Sequence, residues 1–209
     1  MNLTADRLKV IISNCAVRLE EAADELNRLD GQLGDGDLGT SLKTCARNVR
    51  TVLPDTRGDL GDILKAAALA CSRASGSSFG TLLAVGLLTA AKTLQGRQDL
   101  APIEVPDLLD VVLNALQSRG GASLGDKTVL DAIEAVRVAI ADCGDPAEQH
   151  DRAVTAVDAA LSEFRHKPNR IGRARMFADR SVGLDDPGMV AFRHMVLGVR
   201  ADAVPQPAT

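Results

Sequence analysis

Residues 4–29 read TADRLKVIISNCAVRLEEAADELNRL, and the periodicity of this stretch indicates the fold class. Its apolar side chains recur at spacings compatible with one broad helical face: Leu8, Ile11, Ile12, Val17, Leu19 and Leu26. Thr4 suits the N-cap position because its hydroxyl oxygen can accept a hydrogen bond from an otherwise unpaired amide of the first turn. The pattern predicts a helix from Thr4 to about Leu29.

Helical periodicity continues through the rest of the chain. Alternating β-branched runs are hard to find, and alanine-rich stretches at 66–68 and 90–91 favour helix. A second helix is predicted to begin near Gly39 and to stop before Pro54. Six more helices are predicted at about 58–73, 79–95, 106–118, 126–142, 146–165 and 186–200. Because the connections are short, we predict an all-α protein in which eight helices form one antiparallel bundle.

Length and composition fit one domain. The chain has 209 residues, of which 45% are hydrophobic and 25% charged, and this is enough to bury a core without disulfides. No long linker divides the sequence. We predict a single helical domain over residues 1–200 and a frayed C-terminal tail over 201–209.

Charge and aromatic content argue against nucleic acid as a partner. The net charge is −4, and the chain has four phenylalanines but no tyrosine or tryptophan, which leaves little for base stacking. No apolar run approaches the roughly 18 residues of a membrane span, and no secretion signal begins the chain, so no membrane association is expected. The four cysteines form no C-x-x-C pair and are interpreted as buried free thiols in a reducing, cytoplasmic location.

The segment from Asp30 to Gly39, DGQLGDGDLG, carries the clearest chemical signal. Asp30, Asp35 and Asp37 repel one another at neutral pH, so a cation is expected among them, and oxygen ligands favour Mg²⁺ or Ca²⁺. The glycines allow sharp turns and a close approach of phosphate to backbone amides. The segment therefore predicts a metal-bridged phosphate site with one ion or two. The alternative is a tight interhelical turn that merely favours Asp and Gly.

Three familiar motifs do not fit this segment. An EF-hand beginning at Asp35 needs an oxygen side chain at its fifth position and a glutamate at its twelfth, where the chain has Gly39 and Ala46. Gly34, Gly36 and Gly39 match G-x-G-x-x-G, but helical residues rather than a strand precede them. The lysine of a Walker A loop is also missing.

Glycine-rich polar segments connect helices one to two, three to four, five to six and seven to eight. They cover residues 30–39, 74–81, 120–128 and 172–188. In an up-and-down bundle alternate connections lie at the same end, so all four segments are predicted to meet. Together they would supply a metal, serine hydroxyls, helix N-termini and an arginine, which suit a nucleotide diphosphate or triphosphate. Asp126 is predicted to cap the following helix; alternatively, Asp126 and Lys127 are only a cap and a solvated charge.

The same four segments resemble, in order, the motifs of the L subunit or nucleotide domain of dihydroxyacetone kinases. Those motifs are a Gly-Asp-Gly-Asp-His-Gly loop, Ala-Ser-Gly with a later Gly-Thr, Gly-Asp-Lys-Thr, and Gly-Arg-Ala with a later Arg-Ser and Asp-Pro-Gly. The resemblance spans nearly the whole chain. It implies an eight-helix barrel with the nucleotide bound at one end.

Carried over position by position, the resemblance implies a nucleotide and metal site. Asp30, Asp35 and Asp37 would hold two Mg²⁺ ions that bridge the phosphates of ADP or ATP, and Val129 would pack near the base. The residues implied to contact the nucleotide are Leu38, Gly39, Thr40, Ser41, Ala74, Ser75, Gly120, Val129, Arg173, Asp186, Pro187 and Gly188.

The resemblance also implies a function that needs a partner. Members of the family bind the ketose on a separate subunit, so this chain would be the phosphoryl-donor subunit of a two-component kinase for dihydroxyacetone or a related short ketose or keto-acid. It would be inactive without the sugar-binding subunit. The donor would be ATP, or a tightly held ADP that a phosphotransferase protein rephosphorylates.

Four positions depart from the family pattern: Met176 replaces an aromatic residue, Ala178 replaces a glycine, and the other two replace histidine. Leu38 and Leu184 stand where the motifs have histidine, and the histidines of this chain lie outside the four segments, so no acid–base catalytic residue is predicted. The aspartates would act as metal ligands. These losses support an alternative, a nucleotide-binding regulatory or interaction module with weakened catalysis. A third hypothesis is a structural helical domain whose acidic segment binds divalent ions adventitiously.

Overall fold

The computed structural model describes residues 1–74 and 78–199, except for the side chains at positions 173, 174, 177 and 178. Within these residues the chain forms nine α-helices and one short antiparallel pair of strands, β1 (Leu3–Thr4) and β2 (Asp99–Leu100). The helices are α1 (Ala5–Glu21), α2 (Ala23–Leu33), α3 (Leu38–Val52), α4 (Leu60–Ser72), α5 (Ser78–Thr93), α6 (Val105–Gly120), α7 (Val129–Ala139), α8 (Pro146–Arg165) and α9 (Pro187–Gly198). Short 3-10 helices cover Pro102–Glu104 and Arg173–Ser181.

The helices form a closed ring. Helix α1 packs against α3, each helix from α3 to α8 packs against its successor, and α9 returns to pack against α1. Helix α2 continues α1 and also contacts α3. The ring therefore has eight rods, the first made of α1 and α2, and the prediction of an all-α fold is confirmed.

The first predicted helix differs from the observed one in two ways. It is divided at Ala22, although Ala22 still donates to the Arg18 carbonyl at 3.0 Å and accepts from the Leu26 amide at 2.9 Å. It also continues to Leu33, so Asp30 is helical rather than part of a loop. Leu33 is buried, and its burial offsets the cost of about 1 kcal/mol for a helical glycine at Gly31.

The start of α7 corrects a second prediction. Asp126 does not cap this helix; the cap is Thr128, whose hydroxyl accepts from the Leu130 amide at 3.2 Å. Asp131 completes the cap by accepting from the Thr128 amide at 2.8 Å. Lys127 has a positive φ of 61°, which no helical residue adopts, so the helix cannot begin before it.

Other sequence predictions have mixed outcomes. Cys15, Cys45, Cys71 and Cys143 are free thiols, as expected, and all but Cys15 are buried. Among the helices that the structure describes, none combines the length and apolar character needed to cross a bilayer. The predicted tail at 201–209 lies outside the described residues.

Candidate functional site

A cavity of about 500 Å³ lies at the end of the ring where the four glycine-rich segments meet. This volume is within the range of small-molecule sites. The predicted convergence of the segments is confirmed, because each of them contributes to the wall. The lining residues are Asp30, Leu33, Asp35, Asp37 and Leu38, then Ser78, Phe79, Thr81 and Leu82, then Leu116, Arg119, Gly120, Ala122, Thr128, Val129 and Leu130, and finally Ile171, Gly172, Asp186, Pro187 and Gly188.

Three carboxylates form an acidic cluster on the cavity wall. Each of Asp30, Asp35 and Asp37 offers an oxygen, and these oxygens lie within 4.8 Å of one another. Asp30 comes from the last turn of α2 and is fixed by the Asp37 and Leu38 amides, which donate to its Oδ2 at 3.0 and 3.3 Å. Asp37 occupies the N-cap position of α3, but its side chain makes no capping hydrogen bond. The cluster therefore offers converging oxygen ligands of the kind that Mg²⁺ prefers.

Glycines shape the acidic cluster by allowing tight backbone packing. Gly36 has a φ of 75°, which favours glycine. A Cβ atom on Gly39 would lie 1.9 Å from the Ala23 carbonyl oxygen, so only glycine lets α3 approach α2 this closely. A Cβ atom on Gly34 would lie 2.9 Å from Oδ1 of Asp30. The close neighbours of Gly34 and Gly39 are other residues of the protein. These two glycines therefore allow the tight backbone packing that brings the aspartates together.

A largely apolar wall faces the rest of the cavity. Leu116, Val129 and Leu130 belong to one buried cluster, and Phe79 and Leu82 pack against it. Such a wall can hold a flat heterocycle, whereas the acidic cluster can hold cations that bind phosphate. Arg119 is the one basic side chain on the wall among the residues that the structure describes.

Asp186 lies where α9 begins at the cavity. Its Oδ1 caps α9 by accepting from the Met189 amide at 2.9 Å, and its Oδ2 accepts from Asn169 Nδ2 at 2.9 Å. Burial raises the pKa of Asp186 to about 6, although both hydrogen bonds and the ammonium of Lys127 act in the opposite direction. Pro187 and Gly188 follow in the first turn of α9, so the positive end of this helix dipole lies at the cavity.

Lys127 is not the solvated charge that the turn interpretation described. Its relative exposure is 0%, and its Nζ donates to the carbonyls of Lys167 and Ser181 at 2.8 Å each. Asp126 instead closes a turn by accepting from the Ser123 amide at 2.8 Å.

Some residues implied by the resemblance lie away from the cavity wall. The Thr40 amide and hydroxyl both bond to the Asn27 side chain at 3.0 Å, and the Ser41 amide donates to the Asp37 carbonyl at 3.0 Å. Gly39 faces Ala23, and Ala74 follows the end of α4. Ser75 and the side chain of Arg173 lie outside the described residues, although Gly172 lines the cavity. The roles of these residues in nucleotide binding stay predictions; they are Gly39, Thr40, Ser41, Ala74, Ser75 and Arg173.

Sequence reasoning missed part of the wall. Leu82, Leu116, Arg119 and Ile171 line the cavity, yet none belongs to a recognised motif. A weak signal existed for Leu116, which lies four residues before Gly120 and therefore on the same helical face. Ile171 gave no comparable signal.

Comparison with known proteins identifies a family and several relatives. The model of the DAK2 domain matches residues 32–201. The chain is 33% identical over 189 residues to the D-erythrulose kinase of Mycolicibacterium smegmatis, covering 85% of this chain and 32% of that protein. It is 27% identical over 208 residues to the ADP-binding subunit DhaL of the PEP-dependent dihydroxyacetone kinase of Escherichia coli, covering 94% of this chain and 96% of that subunit.

A solved structure shares the fold. The dihydroxyacetone kinase from C. freundii, crystallised with AMP-PNP and Mg²⁺, superposes with a TM-score of 0.74 at 21% sequence identity. The match covers 95% of this chain and 34% of that chain. This chain thus spans about a third of the D-erythrulose kinase and of the C. freundii enzyme, but nearly all of the E. coli subunit. By the family match over most of its length, the chain belongs to the DAK2 domain family.

Proposed function

We propose that this chain is the nucleotide-binding, phosphoryl-donor subunit of a two-component kinase for dihydroxyacetone or a related short ketose or keto-acid. The observation that carries the proposal is the convergence of three carboxylates on the wall of a cavity whose remaining surface is largely apolar. The names of the relatives support it, since one is an ADP-binding kinase subunit and another a ketose kinase.

The acidic cluster fits Mg²⁺. Asp30, Asp35 and Asp37 would hold the metal, as two ions in the arrangement that the family resemblance implies. When bound, Mg²⁺ neutralises charge on the phosphates of ADP or ATP. The backbone amides of Asp37 and Leu38 orient Asp30 without consuming its second oxygen.

The other lining residues would position the nucleotide. Val129 and the apolar wall would pack on the base, and the first turn of α9 would direct its positive dipole end towards phosphate oxygens. Leu38, Gly120 and Asp186 would line the bound nucleotide. No histidine lines the cavity among the described residues, and phosphoryl transfer depends mainly on positioning and charge neutralisation.

The acceptor sugar would come from a partner. A separate sugar-binding kinase subunit would dock at the open end, and this chain alone would be inactive. The donor is either ATP or a tightly held ADP that a phosphotransferase protein rephosphorylates; the name of the E. coli relative, a PEP-dependent enzyme, supports the second arrangement. We place the complex in the cytoplasm.

One observation favours a second candidate function, a nucleotide-binding regulatory module with weakened catalysis. Leu38, at the position where the family motif has histidine, is 5% exposed and packs in the main core cluster. Its side chain cannot donate a hydrogen bond to a phosphate oxygen.

The test is ketose phosphorylation by this chain together with a cognate sugar-binding subunit. Dihydroxyacetone and erythrulose would be offered with ATP, and separately with phosphoenolpyruvate and the phosphotransferase proteins. We expect turnover with one donor only, and no turnover when either subunit is omitted. Tight nucleotide binding without turnover under any of these conditions would favour the regulatory module instead. A Leu38→His variant that then gains turnover would identify the lost histidine as the cause.

A further inference from the structure

The buried ammonium of Lys127 contacts a single stretch of chain. We call residues 165–186 the strap, because it leads from the end of α8 to the start of α9. The Nζ atom of Lys127 lies 2.8 Å from the carbonyl oxygens of Lys167 and Ser181, and 3.4 Å from that of Arg165. An ammonium has three hydrogens to donate, so this one cation is satisfied entirely by strap carbonyls.

The backbone of Lys127 is itself held in an unusual conformation. Among the described residues it is the one non-glycine residue with a positive φ, 61°. Such a conformation is unfavourable for a residue with a side chain and persists when the surrounding structure fixes it. Asp131 provides that support, since its carboxylate accepts from the Gly125 amide at 2.6 Å and the Thr128 amide at 2.8 Å. The turn is therefore anchored to α7 and directs the lysine into the strap.

A second tether runs through Asn169. Its Nδ2 donates to the Lys127 carbonyl and to Asp186 Oδ2, both at 2.9 Å, and because both neighbours are acceptors the amide nitrogen must face them. The Asn169 amide donates to Ser181 Oγ at 2.8 Å, and the Arg170 amide donates to the Asp126 carbonyl at 3.1 Å. Lys127 and Asn169 thus join α7, the strap and the cap of α9.

The buried charge of Lys127 distinguishes it from a lysine that binds phosphate. Burial lowers the pKa of Lys127, while the carboxylates of Asp186 and Asp185 act in the opposite direction. Removing an ammonium from water is unfavourable, and hydrogen bonds must offset this cost. With no exposed surface and its donors directed at carbonyls, Lys127 does not reach the cavity as a phosphate-binding lysine would.

We propose that Lys127 is a positioning residue that clamps the strap, and so holds the part of the cavity wall formed by Ile171, Gly172 and Asp186 in its nucleotide-binding position. The role in binding rests on the proposed function, whereas the clamp itself does not. Lys127 acts on the ligand through the strap, whereas the carboxylates of the acidic cluster come from the end of α2 and the connection to α3.

The test compares Lys127→Met with Lys167→Met. The control, Lys167→Met, also removes one lysine charge, in this case from the strap itself. The Lys167 side chain pairs with Glu163 and lies over Phe164. Its backbone carbonyl remains available to Lys127 in the variant. Three quantities are measured: amide hydrogen exchange over 165–186, the Kd for ADP at saturating Mg²⁺, and the Kd for Mn²⁺ without nucleotide.

For Lys127→Met we expect at least tenfold faster exchange in the strap, unchanged exchange in α3 to α5, and an ADP Kd raised at least tenfold. The Mn²⁺ Kd should stay within twofold, a separation that a general loss of stability would not produce. For Lys167→Met all three should stay within twofold. The proposal is overturned if strap exchange or ADP affinity in Lys127→Met is unchanged, or if Mn²⁺ affinity falls in parallel.

Asn169→Ala provides a second route, should Lys127→Met not fold. This variant keeps the lysine but removes the link to Asp186, and at least threefold changes in strap exchange and ADP Kd are expected. No change in either would overturn the clamp. If the wild type itself fails to bind ADP, the proposed function is wrong, and the exchange data alone decide the clamp.

Discussion

The acidic cluster and the buried Lys127 lie at the same end of the ring, but their charges are in opposite environments. In the cluster, three carboxylates lie on a cavity wall with oxygens within 4.8 Å of one another. Lys127 has 0% exposure, and its ammonium is directed at backbone carbonyls of the strap. Accessible like charges are arranged to receive a ligand, whereas an enclosed and satisfied charge holds chain segments together. Substitution in the cluster should therefore mainly weaken binding, whereas substitution of Lys127 should also lower stability.

The largest expected effect is on binding, in Asp35→Ala. This change removes one ligand from the cluster, so Mg²⁺-dependent ADP binding should weaken by at least about 100-fold, or about 3 kcal/mol. Stability without metal should change far less than binding, because a repulsion is also removed. Calorimetry and urea denaturation measure the two quantities. Asp24→Ala, an exposed change in the first turn of α2, should preserve affinity. Full affinity in Asp35→Ala would contradict the metal assignment.

Gly39→Ala tests the packing that assembles the cluster. Because the new Cβ would lie 1.9 Å from the Ala23 carbonyl oxygen, α3 must move away from α2, at a cost of up to about 3 kcal/mol. Gly144→Ala is the matched control, since a Cβ there meets nothing within 4 Å, and it should change stability by less than about 0.5 kcal/mol. Equal stabilities of the two variants by urea denaturation would show that the close contact is not needed.

Lys127→Met should lower the free energy of unfolding by about 2 kcal/mol, since strap carbonyls lose their buried donor. In Asp35→Ala, by contrast, the expected loss is mainly in ligand binding, whereas Lys127→Met should lose stability as well as ADP affinity. Urea denaturation without metal or nucleotide measures it, with Lys167→Met expected within about 0.5 kcal/mol of wild type. A Lys127→Met protein as stable as wild type would remove the contrast between the two regions.

The smallest expected effect is a pH dependence from Asp186. Its pKa in the folded protein, about 6, is above the ordinary 3.8, so the folded state holds this proton more tightly than the unfolded state. The contribution of Asp186 to stability is therefore greatest at low pH and declines as the pH rises from about 4 to 6. Relative to Asp186→Asn, the wild type should lose on the order of 1 kcal/mol over this interval. Thermal denaturation at several pH values measures the difference.

The control for this pH dependence is Asp151→Asn, because the Asp151 side chain is 83% exposed. The pH profile of Asp186→Asn should differ from the profile of this variant over the same interval. A parallel pH profile for Asp186→Asn and Asp151→Asn would show that the carboxyl of Asp186 titrates normally.

The two regions also differ in how far sequence could predict them. Helical periodicity predicted eight rods, and the alternation of connections predicted the shared end, because both follow from local pattern and simple geometry. The acidic cluster was recognisable because Asp30, Asp35 and Asp37 are close in sequence as well as in space. A site can be predicted from sequence when its residues are neighbours along the chain.

The clamp could not be predicted in the same way. The partners of Lys127 lie 38 to 54 residues away, and all of them are backbone carbonyls, which leave no signature in side-chain identity. The cap at Thr128 could not be predicted either, because Asp126 is equally suited to a cap by residue type. Only the positive φ of Lys127, seen in the structure, excludes a helix that begins at Asp126. The apolar wall residue Leu82 looks like any core leucine until the cavity is seen.

Calorimetric titration of ADP into the wild-type protein, with Mg²⁺ and then with excess chelator, tests the central claim most directly. If the carboxylates of Asp30, Asp35 and Asp37 anchor the nucleotide through metal, the Kd will be micromolar or lower with Mg²⁺ and at least about 100-fold higher without it. Equal affinity in the two conditions, or no binding in either, would contradict the account.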